Sequence, residues 1–288
     1  MILKGVFTAL VTPFINGNIA IDDFKRLISQ QINGGVDGIV VCATTGESPV
    51  LTEDEFTLLL NTAVETTNGK IKVFAGVGSC ETSHAIKRAQ LADKIGVDGM
   101  LAVTPYYNKP TQAGLYQYYG AIASTANRPI MLYSVPSRTG VEISVDTALQ
   151  LHNDFSNIIA IKEATENCSR VEQMTHRNNS DFFVFSGNDS MTLPFMSLGA
   201  VGVVSVMSNL QPREMSNMVR LAYASDFRNA LSVYHSMLPT ISRLFIETNP
   251  LPVKFLLKQA GIITSDECRS PLGQLSESSK RSLMSLLS

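Results

Sequence analysis

The sequence predicts an α/β protein, a (β/α)8 TIM barrel over residues 1–224, with a C-terminal helical region at 225–288. Three observations carry this reading. Eight short apolar runs alternate with longer amphipathic segments, the joints between them are short and glycine-bearing, and after about residue 208 only helical patterns remain. Strand–helix alternation with short links implies parallel strands joined by right-handed crossovers. Eight such units close a barrel.

The apolar runs lie at residues 6–11, 38–42, 72–75, 99–103, 129–133, 158–162, 182–185 and 202–206. They are short and mostly uninterrupted, as strands buried on both faces are. Helical patterns fill 22–33, 52–67, 82–95, 111–126 and 146–152. Thr52 with Glu55 forms a capping-box pattern, and Ser144 precedes another helix start. Gly35-Val36-Asp37-Gly38 and Gly96-Val97-Asp98-Gly99 each close a helix and open a strand. Leu198-Gly199-Ala200-Val201-Gly202 does so later, with glycine suited to the left-handed helix terminus. Beyond the barrel, residues 212–224, 226–247, 252–259 and 277–287 look helical, punctuated by Pro250, Pro252 and Pro271. An open doubly wound sheet is the alternative, but its nucleotide fingerprint is missing. Gly76-Val77-Gly78 follows a strand, yet Glu81 stands where the third glycine is needed.

With 288 residues, 44% of them hydrophobic, the chain can bury a large core. A net charge of −2 gives no electrostatic case for nucleic acid or an anionic membrane. Cys42, Cys80, Cys168 and Cys268 are far apart, so a reduced cytoplasmic compartment is expected. His84, His152, His176 and His235 are scattered, and no metal site is expected. Pro13 interrupts the first apolar run and no small-residue cleavage site follows, so that run reads as a strand rather than a signal peptide. No window approaches the roughly 18 apolar residues that span a membrane.

The run Ile158-Ile159-Ala160-Ile161-Lys162-Glu163 ends in a single lysine. An ammonium there has lost much of its water, which favours the free amine that attacks carbonyls to form a Schiff base. Taken alone, the hexapeptide better suits a lysine that reaches solvent or pairs with Glu163, and the rest of the chain reverses that. In a barrel the reactive groups lie just past the strands. Strand two is followed by Thr44-Thr45-Gly46-Glu47-Ser48, whose hydroxyls and amides suit a carboxylate. Strand four is followed by Thr104-Pro105-Tyr106-Tyr107-Asn108-Lys109-Pro110. Strand five ends in Tyr133, before Val135-Pro136-Ser137-Arg138; a phenol and a guanidinium can handle protons and grip a carboxylate. Strand seven precedes Ser186-Gly187-Asn188-Asp189, and strand eight holds Val203-Val204-Ser205.

With these motifs the chain resembles the pyruvate-dependent class I aldolase barrels of the N-acetylneuraminate lyase superfamily. The resemblance spans essentially the whole chain, including Glu247-Thr248-Asn249-Pro250 and Pro252-Val253-Lys254. It is strongest to members that condense pyruvate with L-aspartate 4-semialdehyde, in diaminopimelate and lysine synthesis. It implies that Lys162 forms an imine with pyruvate and that Tyr133 relays protons in a chain with Thr44. It implies that Tyr107 completes the relay from a neighbouring subunit. Thr45 would bind the pyruvate carboxylate, Arg138 the carboxylate of the aldehyde, and Gly187 and Val204 would line the pocket. No cofactor or metal is implied beyond the covalent imine. The implied assembly is a homotetramer, a dimer of dimers. Ser134 and Val204 depart from the family's frequent asparagine and isoleucine. In members inhibited by lysine, the inhibitor lies between subunits. Glu53, Phe56, Cys80 and His84 depart from that binding set while Ser48 and Tyr106 remain, so weak or absent inhibition is expected. Rival readings are a sialic acid or 2-keto-3-deoxy sugar acid lyase, and a non-catalytic barrel that binds a keto acid. Arg138 and the paired tyrosines disfavour the first, and the intact Lys162, Tyr133 and Thr44 set disfavours the second.

Overall fold

The computed structural model describes residues 3–177 and 181–286. The expected helix end at residue 287 lies outside them. Eight parallel strands close into a barrel: β1 (Gly5–Ala9), β2 (Gly38–Val41), β3 (Lys72–Gly76), β4 (Gly99–Val103), β5 (Ile130–Ser134), β6 (Ile158–Glu163), β7 (Phe183–Ser186) and β8 (Gly202–Ser205). Closure is made by β1, which pairs Gly5 with Gly202 on β8 and Phe7 with Gly38 on β2. The expected fold class is therefore borne out, and all eight runs are strands within a few residues of their expected limits.

The helices are α1 (Ile21–Gly34), α2 (Glu53–Thr67), α3 (Thr82–Ile95), α4 (Gln112–Ala123), α5 (Pro136–Thr139), α6 (Val145–Asp154), α7 (Cys168–His176), α8 (Thr192–Ser197), α9 (Pro212–Tyr223), α10 (Phe227–Arg243), α11 (Leu251–Gln259) and α12 (Glu277–Met284). Capping chemistry explains several starts. Thr52 and Glu55 exchange the reciprocal bonds of a capping box, and the Ser144 hydroxyl accepts from the Thr147 amide. The repeated Gly-Val-Asp-Gly has a physical basis. Gly35 and Gly96 end helices with φ of 73° and 91°. The aspartates that follow, Asp37 and Asp98, then accept the amides of Val6 and Val73 on neighbouring strands, each at 2.8 Å. One sequence device thus ends a helix and ties the next strand into the sheet.

Alternation along the strands separates two apolar layers. Phe7, Val40, Phe74, Leu101, Met131, Ala160, Phe185 and Val204 fill the barrel interior. Phe7 meets Phe74 and Phe185 edge-on, with centroids 5.1 and 5.7 Å away. The opposite faces pack under the helices in a larger cluster containing Val6, Ile39, Val73, Met100 and Ile161. The interior is thus plugged, and two cavities open past the carboxyl ends of the strands.

Three features differ from expectation. A small hairpin, Phe14–Ile15 with Asn18–Ile19, follows β1. The sequence set no bounds for α5 and α7, and of α8 it marked only the end at Leu198: α5 is four residues long, α7 carries few apolar repeats and buries Arg170, and α8 is six residues long. Helix α10 was expected to reach residue 247 but stops at Arg243. The chain then crosses the barrel mouth, where Phe245, Glu247, Thr248 and Asn249 line a cavity. Among the described residues, no helix is long and apolar enough to cross a membrane.

Candidate active site

Two adjoining cavities open at the carboxyl ends of the strands. The larger, about 600 Å³, is lined by Thr44, Thr45, Arg138, Lys162, Gly187 and Asn249 among others. The smaller, about 310 Å³, runs from Tyr133 past Leu101 and Val103 to Ser48 and Tyr106. Thr44, Tyr133, Val135, Arg138 and Asn249 border both.

Strand register assembles the centre. Tyr133 on β5 is the direct partner of Lys162 on β6, so both side chains share one face. Lys162 is only 4% exposed, and its Nζ lies 4.2 Å from the centre of the Tyr133 ring. Glu163, one residue on, faces the opposite side. Its carboxylate takes Arg170 Nε at 3.2 Å and Nη2 at 3.0 Å. The acid next to Lys162 in sequence is therefore not its partner. Among the described residues no carboxylate forms an ion pair with Lys162, which leaves its nitrogen to the cavity. Gly187 keeps that space: a Cβ there would lie 2.9 Å from Lys162 Cγ.

After β2, a tight turn with the Glu47 amide on the Thr44 carbonyl presents Thr44 and Thr45 to the cavity. The Thr45 hydroxyl is buried and accepts from Asn249 Nδ2 at 3.0 Å. After β5, Pro136 starts a single helical turn that Gly140 closes at φ 70°. This turn aims Arg138 across the mouth, where Nη2 donates to the Asn249 carbonyl at 3.1 Å. After β7, Asp189 is fully buried; it accepts the Ser205 hydroxyl at 2.5 Å and the Val206 and Met207 amides at 3.0 and 3.1 Å. Burial pushes its carboxyl above the ordinary carboxylate range, and these bonds with the nearby Lys162 charge only partly offset it. Asp189 thereby anchors the loop that brings Val206 to the cavity wall.

The structure brings together Thr44, Thr45, Tyr133, Arg138, Lys162 and Gly187. It does not bring in Tyr107 or Val204. Tyr107 is 90% exposed, with φ 71°. Asn108 braces this strained position through its amide to the Tyr106 carbonyl at 2.9 Å and its side chain to the Cys80 carbonyl at 3.0 Å. Val204 lies in the packed interior, and Val206 borders the cavity instead. The Ser134 hydroxyl is buried without a hydrogen-bond partner among the described residues. Sequence reasoning gave no role in the site to Asn249, Glu47, Lys254 or Arg269. Lys254 Nζ meets Glu47 Oε1 at 2.6 Å, both fully buried. Glu53 and Phe56 gather around Arg88, with His84 against Glu53. Glu53 accepts from Arg88 Nε at 3.0 Å and lies 2.9 Å from His84 Nε2, while the Phe56 ring lies under the guanidinium. Tyr106 borders the smaller cavity, and burial beside the Cys80 thiol pushes its phenol up.

A closed β/α barrel with a polar cavity at the carboxyl ends of its strands has the architecture of a barrel enzyme. The family model of the Dihydrodipicolinate synthetase family matches residues 2–288, and the chain belongs to that family. It is 44% identical to the 4-hydroxy-tetrahydrodipicolinate synthase of Sulfurihydrogenibium sp., covering 98% of this chain and 97% of that one. It is 42% identical to the synthase of Methanocaldococcus jannaschii, over 99% and 97% of the two chains. The solved synthase from Methylacidiphilum fumariolicum superposes with a TM-score of 0.97 at 44% identity, over 99% of this chain and 95% of that one.

Proposed function

We propose that the chain condenses pyruvate with L-aspartate 4-semialdehyde through a Schiff base on Lys162, giving 4-hydroxy-tetrahydrodipicolinate. The observation that carries this is a buried lysine against a tyrosine ring, facing a cavity lined by Thr44, Thr45, Arg138 and Asn249. The Lys162 amine adds to the pyruvate ketone and expels water, leaving a protonated imine. The imine withdraws electrons, so a methyl proton leaves and an enamine forms. The enamine carbon attacks the aldehyde, making the new carbon–carbon bond and an alcohol. The substrate's own amino group then attacks the imine carbon and displaces Lys162. The amine is regenerated, so the sequence of steps needs no external cofactor.

Tyr133, beside Nζ, relays protons to and from the nitrogen and the departing water. Thr44 and Thr45 hold the pyruvate carboxylate, and Arg138 holds the carboxylate of the aldehyde at the mouth. Tyr107 reaches the relay of a second copy of the chain. Its exposure and its braced left-handed backbone support this, since bulky residues hold such strain where function requires it. A two-fold dimer is then the minimum unit, and a dimer of dimers the full assembly.

The test is turnover of the two substrates, coupled to a reductase for the product, in wild type and Lys162→Ala, with borohydride trapping of pyruvate. Collapse of turnover and loss of the trapped adduct in the variant are expected. Wild-type turnover retained by the variant would defeat the reading.

A further inference from the structure

The loop at residues 44–47 is held from outside the barrel. Asn249, just before α11, donates through Nδ2 to the Thr45 hydroxyl at 3.0 Å. Lys254, within α11, donates to Glu47 Oε1 at 2.6 Å, and the Arg269 amide donates to Glu47 Oε2 at 2.9 Å. Glu47 is itself in the left-handed region, φ 57°, which a non-glycine residue keeps only when its surroundings impose it. A buried ion pair is weak evidence for stability, because an apolar pair of similar size packs as well. This pair fixes a charged side chain of the very loop that carries Thr44 and Thr45.

We propose that Asn249 and Lys254 are positioning residues. From the C-terminal region they set the loop that receives the 2-keto acid's carboxylate, Asn249 acting through Thr45. This rests on the reading of Thr45 as a carboxylate-binding residue. A hydroxyl has one hydrogen and two lone pairs. By accepting from Asn249, Thr45 is oriented with its hydrogen left for the substrate's anion. Without Asn249 the hydroxyl rotates to other acceptors.

A double-mutant cycle on the full chain tests this, with Thr45→Val, Asn249→Ala and the pair, reading pyruvate KM, kcat and the thermal midpoint. Each single change is expected to raise KM by about tenfold, the worth of one hydrogen bond to a charged group. The double variant is expected to be no worse than Thr45→Val, the signature of one residue acting through another. Asn249→Asp keeps the size but cannot donate when ionised, and should match Asn249→Ala. If Thr45→Val leaves KM unchanged, the carboxylate reading falls and this inference with it. If Thr45→Val raises KM while Asn249→Ala does not, or if the two effects multiply, the inference alone falls. For Lys254, Lys254→Met should raise KM and lower the thermal midpoint. Adding Glu47→Gln should recover the midpoint and leave KM high. Recovery of both together makes Lys254 merely structural and overturns its part.

Discussion

Replacing Gly187 with alanine tests how closely Lys162 is held. The alanine methyl would lie 2.8 Å from Ala164 Cβ and 2.9 Å from Lys162 Cγ. Carbon atoms rest about 3.5–4.0 Å apart, so the lysine stem or the loop must yield by about 0.6–1.1 Å. The Gly187 backbone lies outside the left-handed region, so space alone opposes the substitution. Overpacking of this kind costs about 1–3 kcal/mol of stability. A displacement of about 1 Å at a reacting group costs on the order of 100-fold in rate. Gly187→Ala should therefore lose between 10- and 100-fold in kcat, estimated from that displacement. Its thermal midpoint should fall by about 2–5 °C. The coupled turnover assay, the rate of borohydride-trapped adduct and a melting curve measure the three quantities. A lowered midpoint with an unchanged rate of imine formation would refute the reasoning. It would mean that Ala164 absorbs the clash and that Lys162 does not depend on the gap.

Other expectations are as specific. Tyr107→Phe should lower kcat by about 100-fold, the usual loss of a proton-transfer group, with the thermal midpoint unchanged because the ring is kept and only the hydroxyl is removed. Unchanged turnover removes Tyr107 from the relay. Lysine should inhibit weakly or not at all, since Phe56 is buried under Arg88 and His84 is turned to Glu53. Strong inhibition at low lysine in a steady-state assay refutes this. Hydrogen bonds from Arg269 hold the Glu55 carboxyl down at about 2, below its ordinary 4.5. A depressed folded value stabilises the protein above the ordinary value and is lost as pH falls toward 2. Glu55→Gln should therefore cost about 1 kcal/mol at neutral pH, the scale of a partly exposed pair. It should also flatten the stability loss across that acid window in denaturant titrations. An unaltered acid limb would show that the pair contributes nothing.

What the sequence made legible was local. The strands announced themselves as apolar runs, and Thr52 with Glu55 announced a helix start, because each signal lies within one turn or one strand. The segments that hold Lys162, Tyr133, Thr44, Thr45, Arg138 and Gly187 stood out because a barrel places whatever follows its strands at one rim, and the family resemblance then singled out these residues. Two residues that the resemblance placed in the site, Tyr107 and Val204, do not border the two cavities of this chain. Val204 ends no strand; it sits inside β8, and the alternation of the strand turns it into the packed interior. The same alternation turns Glu163 away from Lys162, although the two are adjacent in the chain.

What stayed illegible was pairing across the chain. Asn249 and Thr45 are 204 positions apart, Lys254 and Glu47 are 207, and Arg269 and Glu55 are 214. No periodicity links such residues, and each looks ordinary where it stands: an asparagine before a proline, a lysine in a helix, a glutamate after a glycine. They acquire meaning only when α10 stops at Arg243 and the chain crosses the barrel mouth. From there its polar groups meet the loop after β2. Buried charge is costly unless paired, so the fully buried Lys254 could remain only if the barrel offered it a carboxylate. Glu47 is that carboxylate, and it lies in the loop that also carries Thr44 and Thr45. The C-terminal region is thus bound to the barrel at the place where substrate binding is proposed. A change in one should be felt in the other.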